Sequence, residues 1–194
     1  VDTVVKYGKS KGSEAYLKVD VEYLEFLWPI KTYLITCGNM AAKANIVAVS
    51  FCMPAAGQPP QVACSIGKAF YSYELIEQTG EFIVNVPTKA LQKAVYYCGT
   101  HSGRHVDKFK ETGLTPLPAR RLKAPIIVEC IAHMECVVVG KLDTKPYTNS
   151  DLKPNIANKT LFLGEVVEAY ADEAYTEGEL KADCLSEGSF PHRV

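Results

Sequence analysis

From Tyr33 onward, short runs of β-branched and aromatic residues alternate with clusters of turn formers. Residues 33–37 (Tyr-Leu-Ile-Thr-Cys) predict a strand ended by Gly38 and Asn39. Residues 45–52 predict a second strand, stopped by Pro54 and the loop of Gly57, Pro59 and Pro60, and residues 61–66 a third. The spacing then turns helical, with Ser72 as N-cap, Leu75 and Ile76 on the buried side and Gly80 where the helix stops. Residues 81–86 return to strand and end at Pro87. Residues 88–98 and 106–112 predict two more short helices, the second stopping at Gly113. Pro116, Pro118 and Pro125 mark an extended connection.

Residues 126–142 predict one long strand. With a period of two, Cys130, Ala132, Met134, Cys136 and Val138 share one face, and Glu129, His133 and Glu135 share the other. The charged face is expected to meet solvent or a partner. Residues 160–171 predict another strong strand. About six strands interrupted by short helices, without strict βαβ order, favour a closed or nearly closed antiparallel barrel over a doubly wound sheet. Residues 1–27 are weakly patterned and are expected to form an N-terminal arm. Residues 28–172 are expected to form the domain, and residues 173–194 an acidic extension.

Composition narrows the function classes. A chain of 194 residues, 47% hydrophobic and 22% charged, suits one folded domain and excludes a disordered one. Residues 165–187 carry eight acids and one lysine, leaving the rest of a chain of net charge −1 mildly positive. That surplus is too dilute for a nucleic-acid footprint, yet enough to hold one anionic ligand. The longest uncharged run, residues 44–67, is broken by Pro54, Pro59 and Pro60, so no membrane helix is expected. No secretory signal is visible at the N-terminus, and a cytoplasmic location is expected. Seven cysteines without a CxxC fit reduced, mostly buried thiols.

Several chemistries lack their residues. Gly8-Lys9-Ser10 has Thr3 where a phosphate-binding P-loop needs its first glycine. Neither GxGxxG nor HExxH occurs, and Gly99-Thr-His-Ser-Gly103 has the wrong spacing for a nucleophile elbow. Cys98, His101 and His105 supply three candidate metal ligands where a structural zinc needs four, so no metal is expected. The informative stretch is a strand end followed by Gly67-Lys68-Ala69-Phe70-Tyr71-Ser72 at a helix start. Lysine charge, hydroxyls and unpaired helix N–H groups would together cradle a phosphate. In the plainer reading, Lys68 is a solvated loop lysine and Ser72 only a cap.

An ordered series of short motifs adds a resemblance. It comprises Pro29 to Cys37, Ala44-Asn45, Pro59-Pro60-Gln61-Val62, Ser65-Ile66, Ser72 and Thr79 to Pro87. Cys98-Gly99, Asp107-Lys108-Phe109, Gly113-Leu114, Ala124-Pro125, Glu135-Cys136 and Leu163-Gly164-Glu165-Val166 follow. The series resembles the flavin reductase-like family of FMN-binding split barrels, most closely its flavoredoxin and archaeal ferric-reductase-like branch. The resemblance implies a mainly β fold with short helices, a Greek-key split β-barrel that binds FMN at a homodimer interface. By position, the strand from Asn45 through Val49 to Cys52 would run beside the isoalloxazine, with backbone near Ser50 and Phe51 at its polar edge. Lys68, Tyr71 and Ser72 would address the phosphate, and Asn85 the backbone or ribityl chain. Ser102, Gly103 and Lys108 would lie near the flavin. No nucleophile would be needed. NAD(P)H is the implied electron donor, with flavin, ferric complexes or a redox protein partner receiving electrons. The alternative is a non-enzymatic FMN electron carrier between protein partners, and a third reading is a thiol sensor using Cys37, Cys52 or Cys98.

Overall fold

A computed structural model of the protein describes residues 30–144 and 158–173, with two paired strands, β1 (Val5–Lys6) and β2 (Leu17–Lys18). The rest of the expected N-terminal arm, and all of the acidic extension but Glu173, lie outside the described residues. Seven further strands build the main sheet: β3 (Tyr33–Asn39), β4 (Lys43–Val49), β5 (Cys52–Gly57), β6 (Pro60–Gly67), β7 (Glu81–Val86), β10 (Ala132–Asp143) and β11 (Lys159–Ala171). Their order is β4-β3-β7-β10-β11-β6-β5, and every neighbouring pair is antiparallel.

The two outer strands of that order, β4 and β5, are consecutive in sequence and separated only by Ser50 and Phe51. So short a link brings the sheet's two edges together and rolls it into a barrel, while β4 and β5 themselves do not pair. The result is a Greek-key split β-barrel. Its interior is filled from six strands, by Ile35 and Cys37, Val47 and Val49, Cys64 and Ile66, Phe82 and Val84, Cys136, and Phe162. Helix α1 (Tyr71–Thr79) adds Leu75 and Ile76 to this core.

The outside of the sheet is covered as well. Leu34 and Ile46 point outward onto Val95 and Cys98 of α2 (Gln92–Thr100), joined by Leu114, Ile127 and Cys130. A small ribbon of β8 (Pro116–Pro118) and β9 (Pro125–Ile127) lies in the connection after α3 (Lys108–Thr112). Ala124 and Ile126 from that connection cover Ile83. Strand β3 is thus apolar at adjacent positions because both its faces are buried.

Four expectations need correction. Residues 45–52 are not one strand: β4 ends at Val49, Ser50 bends, and β5 continues through Pro54, tolerated there because β5 is an edge strand. Residues 126–142 are likewise two strands, β9 and β10, with a turn between them that carries Glu129 away from His133 and Glu135. The face expected to meet solvent is buried, with His133 5% and Glu135 0% exposed, because the connection after α3 folds over it. Ser72 is not an N-cap: Phe70 takes that place without a side-chain bond, and Ser72 lies inside the first turn, 1% exposed. The helix stops at Gly80 and Gly113 stand, both in the left-handed region at φ of 69° and 70°.

Two carboxylates clasp the covering connection. Glu135 accepts from the backbone N–H groups of Arg120 (2.8 Å), Arg121 (2.9 Å) and Leu122 (3.0 Å), and from the Tyr170 hydroxyl (2.9 Å). Glu81 accepts from the N–H groups of Lys123 and Ala124. Burial alone would raise the Glu135 pKa, but these four bonds outweigh it and hold the carboxyl below the usual range.

Candidate functional site

Two clefts open along β4 and the link that follows it. The smaller, about 280 Å³, is walled by Asn45 and Val47 of β4, the start of α1, the end of α2 and the loop that leads to α3. Those walls follow from local chemistry. Strand β6 ends at Gly67, a turn closes with the Phe70 N–H donating to the Gly67 carbonyl at 2.9 Å, and α1 then begins. Helix α2 runs out at Thr100, and Asp107 restarts the chain as α3 by accepting from the Phe109 and Lys110 N–H groups.

At the floor of this cleft the Asn45 amide donates to the Ser72 hydroxyl at 2.8 Å, both side chains being buried. Gly103 packs on the same amide so closely that a Cβ there would collide with Asn45 Oδ1. Lys108 is 4% exposed and its Nζ donates to the carbonyls of Ile46 and Cys98, each at 2.7 Å. One lysine thereby ties β4 to the end of α2. Burial lowers its pKa, and a buried ammonium is tolerated here because two carbonyls receive it. No acidic residue lines the cleft, and Lys43 and Arg104 stand over the Tyr71 ring at 4.6 and 5.3 Å. Arg104 also grips Glu74 through two 2.6 Å bonds, which holds the Glu74 carboxyl below its ordinary range. The α1 start carries no side-chain cap, so its first N–H groups keep their bonding capacity beside the cleft.

The larger cleft, about 570 Å³, lies beyond the other end of β4 and is mainly apolar. Ser50, Phe51 and Cys52 form one wall, with Tyr33, Lys159 and Leu161 facing them. The Ser50 and Thr32 hydroxyls share a 2.8 Å bond, and Lys159 Nζ sits 4.8 Å from the centre of the Phe51 ring.

Of the residues singled out from sequence, Asn45, Tyr71, Ser72, Ser102, Gly103 and Lys108 come together in the smaller cleft, and Ser50, Phe51 and Cys52 in the larger. Val49 points into the barrel interior instead. Lys68 pairs with Asp143 at 2.6 Å outside both lining sets, and Asp143 also accepts from Thr160. Asn85 lies within the sheet: its amide nitrogen donates to the Leu34 carbonyl, and its oxygen accepts from the Ile127 N–H and bonds His133 Nδ1 at 2.8 Å. Phe70, Thr100, Tyr33, Ser65 and Lys159 were missed. Phe70 could have been found, since it adjoins the predicted helix start. Lys159 comes from a distant strand and carries no local signal.

Cys98, His101 and His105 do not converge, and among the described residues no three His, Cys, Asp or Glu side chains gather as a metal set. His101 stacks on Tyr97 with ring centres 3.8 Å apart. Burial raises the Cys37 thiol to about 12 and Cys98 to about 11, which removes thiolate character from two of the three cysteines considered as sensors. Among the described residues no helix is long and apolar enough to cross a membrane.

Comparison with known proteins agrees with the fold. A family model described as flavin reductase like domain matches residues 28–182. An uncharacterized protein of Archaeoglobus fulgidus is 34% identical over 159 residues, covering 82% of each chain. Flavoredoxin from Methanosarcina acetivorans superposes with a TM-score of 0.70 at 28% identity, over 88% of this chain and 84% of its own. The FMN-binding domain of a flavin reductases-like enzyme from Shewanella baltica gives 0.59 at 25% identity, over 73% of this chain and 69% of its own.

Proposed function

Because the chain belongs to the flavin reductase like domain family, we propose that it binds FMN and is an oxidoreductase. It would move electrons from NAD(P)H or a protein donor to flavin, ferric complexes or a redox partner. One observation carries the reading: an acid-free cleft lies on β4 at the uncapped start of α1, and a larger, mainly apolar cleft lies at the link that follows β4. The residues fit the cofactor. Asn45 and Ser50 are five residues apart, about 17 Å along an extended strand, a span suited to a tricyclic ring with a phosphorylated five-carbon tail. The larger cleft falls within the usual size of small-molecule sites, roughly 300–1,000 Å³.

In this reading the Tyr71 and Ser72 N–H groups, with the Ser102 hydroxyl, hold the phosphate, drawn by the positive end of α1. Lys68 joins them only by leaving Asp143. Ser50, Phe51 and Cys52 flank the ring, Phe51 and Leu161 exclude water from it, and Lys159 offers a positive charge nearby. Asn85 acts from within the sheet by fixing β3, β9 and β10 rather than by touching the cofactor. When bound, FMN supplies the hydride acceptance and the one- or two-electron transfer, and the protein supplies binding, orientation and shielding.

The decisive experiment is anaerobic. Purified protein is expected to take up FMN, turn yellow, and bleach when NADH or NADPH is added. Slow bleaching by both nucleotides with fast reduction by a ferredoxin-type donor would select the carrier reading, which the structural similarity to a flavoredoxin favours. A chain that stays colourless with excess FMN would end both. Homodimerisation belongs to the same proposal. Val137, Val139 and Leu142 stand 37%, 50% and 65% exposed along β10, an apolar face that a second copy would cover. Light scattering at micromolar concentration should return twice the chain mass, and a monomer would refute the dimer.

A further inference from the structure

Cys52 and Cys64 face each other directly across β5 and β6. The bond that brackets them runs from the Ser65 N–H to the Phe51 carbonyl at 2.9 Å, so it joins the residue after Cys64 to the residue before Cys52. In antiparallel geometry this makes Cys52 and Cys64 a non-hydrogen-bonded pair, whose Cα atoms lie about 4.5 Å apart with side chains on the same face. Disulfides need a Cα separation of about 4.4–6.8 Å. Cys52 is the largest single influence on the Cys64 thiol, in keeping with that proximity. Their exposure differs in a useful way. Of the six described cysteines Cys52 is the one that is not buried, and it lines the larger cleft, whereas Cys64 is 1% exposed behind it.

We propose that Cys52 and Cys64 form a dithiol–disulfide couple that reacts with low-molecular-weight disulfides entering the larger cleft. Cys52, the reachable member, loses its proton to solvent and attacks one sulfur of the incoming disulfide. The S–S bond breaks, one small thiol leaves with that proton, and Cys52 carries the other half as a mixed disulfide. Cys64 then gives up its proton and attacks the Cys52 sulfur, expelling the second small thiol. The protein dithiol is oxidised by two electrons to a disulfide, and the small disulfide is reduced to two thiols. The contact with Cys52, and then burial, push the Cys64 thiol up, which makes Cys52 the member that attacks first. The edge position of β5 lets Cys52 approach while the barrel holds Cys64 still. This chemistry needs no flavin, but it uses the cleft proposed for the FMN ring, so the reaction is run with and without added FMN, which should slow it if the ring sits there.

The test incubates the full chain, as purified, with excess glutathione disulfide under anaerobic conditions, then alkylates it and maps the peptides by mass spectrometry. The wild type should yield one intrachain disulfide joining Cys52 to Cys64, reversed by dithiothreitol, with Cys37, Cys98, Cys130 and Cys136 left as free thiols. Cys64→Ser should stop at a glutathione adduct on Cys52, and Cys52→Ser should leave Cys64 unmodified, with circular dichroism checking that both variants fold. Free Cys52 in the oxidised wild type, an adduct on Cys52 that never resolves, or a link from Cys52 to Cys184 instead would each overturn the proposal.

Discussion

Replacing Glu135 by glutamine is expected to cost about 3 kcal/mol of folding stability and to lower the thermal midpoint by roughly 6–12 °C. The carboxylate is wholly buried and accepts four bonds, three of them from consecutive N–H groups of the connection that covers the sheet. Hydrogen bonds to an ionised acceptor are about twice as strong as neutral ones. Glutamine keeps the volume but turns an NH₂ toward N–H donors, leaving at least one buried donor without a partner. The variant should also change the response to acid. Because the folded state holds the Glu135 pKa below its ordinary 4.5, the carboxylate stabilises the protein above that pH. That contribution fades as the pH falls through the lowered folded value. Thermal melts between pH 7 and pH 3 should therefore show a shallower acid decline in Glu135→Gln than in the wild type. A midpoint within about 2 °C of wild type at pH 7 would mean the clasp contributes little.

Gly103→Ala is expected to weaken FMN binding at least about tenfold, or roughly 1.4 kcal/mol, while leaving the thermal midpoint within about 4 °C of wild type. The added methyl would collide with Asn45 Oδ1, and the Asn45 amide is enclosed and bonded to Ser72. Relief requires either the asparagine to turn away from Ser72 or the 101–107 loop to lift off the cleft. Both changes disturb the floor proposed for the phosphate, and neither touches the barrel interior. Fluorescence titration of FMN against each protein measures the effect. Equal affinities would remove the smaller cleft from the flavin site and leave the larger one standing.

The sequence displays those parts of the fold that depend on neighbours along the chain. Gly80 and Gly113 ended their helices, and the β-branched runs marked β3, β4, β6, β7 and β11 to within a few residues. What it could not display is coverage from a distance. Glu129, His133 and Glu135 read as a face for solvent or a partner because a covering segment of the same chain leaves no local pattern. The segment that buries Glu135 lies about fifteen residues away and makes its case through backbone N–H groups, which have no sequence signature. The site divides in the same way. Tyr71 and Ser72 were legible from one strand-to-helix junction, and Asn45, Ser102, Gly103 and Lys108 through the family's motif order. The wall contributed by Lys159 and Leu161 depends on β11 pairing with β6, a contact across nearly a hundred residues. Asn85, expected to hold the backbone or the ribityl chain, holds backbone: its amide bonds Leu34 of β3 and Ile127 of β9, and also His133 of β10, contacts between strands that no local pattern displays.

The two residues between β4 and β5 set a rule for how this scaffold can evolve. An insertion there would shift one strand by a single position, turn its inward side chains outward and misalign both clefts together. Extra length is far better absorbed at the Pro60 end of the β5–β6 hairpin, where exposed chain carries no wall of either cleft. Descendants of this chain should therefore vary freely in the rim while keeping the same count of residues across the seam.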